Sequence, residues 1–177
     1  MAGFIDQMIE HHEAMLVLIR AGKVGSAFAL ARSIFESMYR GMWINFVATD
    51  QEIEQFEKND KIPLTLGKLA DAIDKGYRAD GRFADLKRRA WKALNSYTHT
   101  GLLQLGRRFT GHKLQPAYRD QEIVDVTTST TTCVLVLVSR FFAVHNFADD
   151  VNETDKLIAS YGPAARRERS AAAKPAE

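Results

Sequence analysis

Cysteine is nearly absent. Cys133 stands alone, which excludes an internal disulfide and a cysteine-rich metal site and fits a reducing, cytoplasmic setting. Proline is scarce, with four in 177 residues. No repeat or low-complexity block precedes residue 160, which argues against a disordered chain or a solenoid. Long hydrophobic runs are missing too. The longest strongly apolar stretch, Cys133 to Val138, is too short to span a bilayer, so no membrane partner is expected. Asp6, Glu10, His11 and His12 interrupt the N-terminal apolar residues, and no signal peptide is expected. The chain also lacks a glycine-rich phosphate loop, a serine or cysteine nucleophile motif and an HExxH pair. The common enzyme classes therefore find no motif here, no cofactor is implied, and whether the protein is an enzyme stays open.

What is present is a helical pattern. Hydrophobic residues make up 46% of the chain, enough for one full core. The pattern predicts a single helical domain over residues 1–161 and a disordered Ala/Arg-rich tail over 162–177. The chain is organised around residues 24–47. Val24, Phe28, Ala31, Phe35, Met38, Met42 and Phe46 keep three-four spacing over six turns. Gly25, Ala29, Ser33, Ser37 and Gly41 form a ridge of small residues against which another helix can pack closely. Arg32, Glu36 and Arg40 form a third row. It is either a solvated ion-pair ladder or, if covered, a clamp or the floor of an anion site.

Around this helix the spacing predicts others: residues 2–20; an acidic piece from Asp50 to Glu57 with Thr49 and Glu52 spaced as a capping box; Leu64 to Ile73; and a basic helix from Phe83 to about Leu105, weakened at Thr98, Thr100 and Gly101. Arg107 to Arg119, with Gly111 and Pro116, reads as a loop. Thr127 to Val138 has strand composition. Yet Ile123, Val126, Thr130, Cys133, Leu137, Phe141 and Val144 keep helical spacing and no partner strand exists, so residues 121–147 are read as a helix, with a short one at 153–160. The expected fold is all-α: a bundle of about five helices, two or three of them long and antiparallel.

Charge is segregated. Residues 1–74 carry 7 basic and 11 acidic side chains, residues 75–119 carry 11 and 2, and residues 120–161 carry 2 and 7. The basic segment either pairs with its acidic neighbours, within the fold or across a homodimer, or faces an anionic partner such as RNA or a nucleotide. Within it, Asn95 and His99 share a helix face, followed by Gln104, Arg107 and Arg108. Positive neighbours favour a neutral His99, suited to a general base or an anion site; the structural alternative is a hydrogen bond across helices to Glu36. On the first helix, His11 and His12 lie between Met8 and Met15. They are candidate ligands for a soft metal, or His12 is a core histidine among gap-filling methionines.

Three resemblances follow from these stretches. FIDQMIEHHEAM is similar to the MIxHH segment of a family of small copper-binding helical proteins. SAFALARSIFESMYRGMWI with LNSYTHTGLLQLGRR resembles an uncharacterised family of bacterial single-domain helical proteins, through Arg32, Glu36, Arg40, Asn95, His99, Gln104 and Arg108. More distantly, the arrangement resembles the HEPN superfamily, many of whose members are RNA-cutting toxins or defence proteins with an Arg-x4–6-His motif. Two stretches fit that spacing, Arg107 to His112 and Arg140 to His145. With 14 arginines and five histidines, about one such spacing arises by chance.

The function expected is binding of RNA or a nucleotide through Arg32, Glu36, Arg40, Asn95, His99, Gln104, Arg107 and Arg108. The alternatives are a metal-independent RNase using His99, His112 or His145 with Arg107 or Arg140, a metal-binding bundle centred on His11 and His12, and a structural or regulatory dimer.

Overall fold

The computed structural model describes residues 1–161; the expected tail lies outside the described residues. The fold is all-α, built on three long helices of 19, 23 and 25 residues: α1 (Ala2–Arg20), α2 (Val24–Phe46) and α7 (Asp120–Val144). Between α2 and α7 run α3 (Asp50–Asn59), α4 (Leu66–Tyr77), α5 (Arg82–Thr98) and α6 (Leu102–Gly106), and α8 (Ala148–Ser160) follows α7. Eight helices among the described residues exceed the five or so expected. The break of the basic helix into α5 and α6, with the short α3 and α8, accounts for the excess.

α2 is the hub. It packs against α1, α4, α5 and α7, and its apolar stripe, including Phe28, Ile34, Met38, Met42 and Trp43, is fully or almost fully buried. Gly22, at φ 70, turns the chain so that α1 lies back along α2. The small-residue ridge is used at both ends. A Cβ on Gly41 would meet Leu137 of α7 at 2.7 Å, and one on Gly25 would meet the Tyr118 hydroxyl at 2.6 Å. Between them Ser37 donates to Gln7 of α1 at 3.0 Å, while Ser33 is exposed.

Local chemistry sets the other ends. Thr49 and Glu52 form the capping box that their spacing predicts. The Asp74 carboxylate accepts from the backbone N–H groups of Phe83 and Ala84, at 3.0 and 2.8 Å, so α4 caps α5. The basic helix does not run on to Leu105. Thr100 takes φ 52, and a Cβ at Gly101 would lie 2.9 Å from the Ser96 Cα, so the chain folds tightly back before α6 starts. The expected loop of residues 107–119 contains a small hairpin, β1 (Phe109–Thr110) and β2 (Lys113–Leu114).

α7 is a helix despite its strand-like composition. Its threonines return their hydroxyls to the preceding turn: Thr131 to the Thr127 carbonyl at 2.9 Å and Thr132 to that of Thr128 at 2.8 Å. The hydroxyls are thus satisfied without a neighbouring strand. By length and composition alone α7 could cross a membrane, a test that core helices of soluble proteins also pass.

Candidate anion-binding site

The Arg32–Glu36–Arg40 row lies where α2 passes α5 and the α3–α4 connection. Arg32 Nε donates to Glu36 at 2.6 Å, and the Arg40 guanidinium stands 3.8 Å from the other carboxylate oxygen. These side chains are 21%, 24% and 39% exposed in the order Arg32, Glu36, Arg40, so the row is neither a solvated ladder nor a buried clamp. It floors a partly open hollow.

Arg32 does more than pair. Its guanidinium lies over the Trp91 ring, 4.9 Å from the centroid, and donates to His99 Nε2. Arginine has no acceptor, so Nε2 is the accepting atom in this contact. His99 therefore reaches the row through Arg32 rather than Glu36. It occupies the C-cap of α5, where the helix stops short.

Trp91 is a wall of two hollows. One, about 370 Å³, is lined by Arg32, Glu36 and Arg40 with Asp60 and Lys61. The other, about 610 Å³ and more open, is lined by Lys87, Arg88, Lys92 and Asn95 with Asp71. Six cations thus flank one half-buried indole against three carboxylates. Trp43, by contrast, is fully buried.

The family model of a family of unknown function, DUF6988, matches residues 5–161. The chain belongs to that family. No curated protein and no solved structure matches it.

Elsewhere in this DUF6988 chain, the remaining expected anion-binding residues are occupied with other work. Gln104 donates its side-chain N–H to the Gly25 carbonyl at 3.2 Å. Arg108 lies against Gly25 beside Tyr118. Arg107 pairs with Glu122, which also binds Arg119 at 3.0 Å and sits in the first turn of α7. Together they seat the loop on the start of α2, away from Trp91. Desolvation works against the Glu122 charge, but hydrogen bonds from Arg107 and Arg119 outweigh it and hold the carboxyl below its usual range. Arg88 and Arg89 both pair with Asp85, the latter at 2.6 Å. Part of the basic segment therefore spends its charge at home.

The histidine candidates are dispersed. His12 Nε2 stands 2.9 Å from Thr131 Oγ1, whose own proton goes to the Thr127 carbonyl, so His12 donates. Burial lowers its pKa. Met8 and Met15 are core residues and His11 is half-buried. Among the described residues no three His, Cys, Asp or Glu side chains converge. His112 is exposed in the hairpin turn, apart from the Arg107–Glu122 pair. His145 is exposed at the end of α7, its ring 4.4 Å from that of Phe141. Arg140 instead binds Tyr77, Ser139 and Asp155, the last at 3.2 Å. Neither Arg-x4–6-His spacing produces a contact between its two ends.

Sequence reading passed over Trp91, Lys61, Lys87 and Lys92. The signal was available for three of them, in the run Lys87-Arg88-Arg89-Ala90-Trp91-Lys92, where an aromatic interrupts a basic cluster. Lys61 is brought in only by the α3–α4 connection.

Proposed function

We propose that this protein binds an anionic ligand of the nucleotide class, RNA or a free nucleotide, on the shelf around Trp91. The observation that carries the reading is that one half-buried indole divides two hollows lined by cations. Bases stack on aromatic faces while Lys and Arg neutralise phosphates, and each stacked base contributes about 1–3 kcal/mol. Arg32, Arg40, Lys61, Lys87 and Lys92 take the phosphates. Asn95 offers a donor and an acceptor to a base edge. Cytoplasmic residence, a homodimer and a HEPN-like relationship belong to the same reading.

Intrinsic fluorescence tests it. Trp43 is buried, so Trp91 dominates any ligand-dependent change. Titration with a short single-stranded RNA and with ATP should quench emission at low salt, with an affinity that falls steeply as salt rises. Trp91→Phe should remove the signal, and Lys87→Glu with Lys92→Glu should remove binding while the fold is kept. Absence of quenching and of any gel shift at low salt would end the reading.

One contact favours a second reading, a metal-independent RNase. The Arg32–His99 pair places an imidazole at the rim of the same hollow. Cleavage of a mixed RNA pool without added metal, lost in a folded His99→Ala variant, would establish it.

A further inference from the structure

Away from Trp91, α5 and α7 both pack on α2 and leave a cleft between them. It consists of two cavities, about 480 and 200 Å³. Leu86, Ser129 and Cys133 wall both, so the two form one trough with a waist. Ala31, Phe35 and Met38 of α2 make the floor. The sides are aliphatic and aromatic, with Phe83 and Leu94 on α5 facing Val126 and Val136 on α7. At 1.5 Å per residue, the α5 wall from Phe83 to Tyr97 runs about 21 Å. The larger cavity has the size of an ordinary small-molecule site.

Its two ends differ in charge. Arg78, Arg82 and Arg140 border the larger cavity with one carboxylate, Asp155. Arg140 already holds Asp155 and Tyr77. Arg78 and Arg82 are exposed and have no ion-pair partner among the described residues. The smaller cavity carries Asp125 instead.

We propose that this trough binds one amphipathic anion, a fatty-acid-like carboxylate, with its head at Arg78 and Arg82 and its aliphatic tail along the waist toward Tyr97. Two free guanidinium groups over an apolar trough complement an anionic head on an apolar body. The lining uses residues of α5 different from those around Trp91, so the site stands independently of the nucleotide reading.

Ser129 gives a clean test, because it is exposed yet walls both cavities. Isothermal titration with decanoate, and with decanol as its neutral match, is run on the full chain and on variants whose thermal melts match it. Wild type is expected to bind one decanoate saturably. Arg78→Ala with Arg82→Ala should weaken decanoate about tenfold or more, while decanol affinity stays within about twofold. Ser129→Trp should abolish both by filling the waist. The proposal falls if wild type shows no saturable binding, if Ser129→Trp binds as well as wild type, or if the double arginine variant weakens decanol as much as decanoate. It falls also if wild type takes up no decanoate and is a dimer that Ser129→Trp splits, which assigns the trough to a second copy of the chain.

Discussion

Arg32 and His99, separated by 67 positions in the chain, meet side chain to side chain, with the guanidinium donating to the imidazole Nε2. The same guanidinium holds Glu36 and covers Trp91. One arginine thereby ties α2 to the end of α5 and shapes the hollow between them.

Glu36 is the counter-charge to two arginines. Glu36→Gln should cost little stability, about 0.5–1 kcal/mol, because the row is partly solvated. It should also raise affinity for short RNA by freeing both guanidinium groups. Urea midpoints and fluorescence titration measure the two effects separately; weaker RNA binding with unchanged folding would place the phosphates elsewhere.

At Gly25, backbone and loop are in close contact. Gly25→Ala sets a Cβ 2.6 Å from the Tyr118 hydroxyl and 3.2 Å from the Arg108 guanidinium, and should destabilise by about 1–3 kcal/mol. The Tyr118 hydroxyl is buried without a hydrogen-bond partner among the described residues. Tyr118→Phe alone is therefore expected to be neutral or slightly stabilising, and to recover much of the Gly25→Ala loss. A double-mutant cycle by urea unfolding reads the coupling.

Two groups set the acid side of the stability curve. Burial lowers the His12 pKa in the folded state. The unfolded state then binds more protons, and stability falls as pH drops below about 6.5, the unfolded value, toward the folded one. Glu122 is likewise held low, by Arg107 and Arg119 against its desolvation. Its contribution is present above about 4.3, the unfolded value, and is lost as pH falls through the folded one. Midpoints measured from pH 8 to pH 3 should decline in two stages. His12→Gln should flatten the first and Glu122→Gln the second; a variant that leaves its own stage intact would refute that assignment.

Cys133 is 5% exposed, and burial pushes its thiol up to about 12. Thiol reagents at pH 8 should react many-fold more slowly with the folded protein than with the chain in urea. Fast labelling of the native protein would show that reagents reach the thiol through the trough that it lines or that α7 opens readily.

Sequence periodicity revealed the long helices because they are regular and their apolar faces are continuous: α1, α2 and α7 begin within a residue of where the pattern places them. The threonine run was readable as helix because Val126, Thr130 and Leu137 keep the helical phase through it. Thr98, Thr100 and Gly101 marked the weak point of the basic helix, but not a full stop at His99, which depends on Thr100 entering the left-handed region and on Gly101 closing over Ser96. The site was half legible. Arg32, Glu36 and Arg40 share a helix face by spacing alone. Their link to Trp91, Lys61 and His99 needs three elements from different parts of the chain. The charge pattern left open whether Arg107 pairs at home or faces a ligand, and it could not name Glu122, which lies on α7 beyond the hairpin loop, as the partner.

During synthesis the order of the helices has its own effect. α2 leaves the ribosome directly after α1, and the turn at Gly22 lets the two pair at once. Yet Gly41 waits for Leu137, on a helix near the far end of the chain. Until α7 has been translated, the floor formed by Ala31, Phe35 and Met38 faces water, a nascent surface open to chaperones and to aggregation.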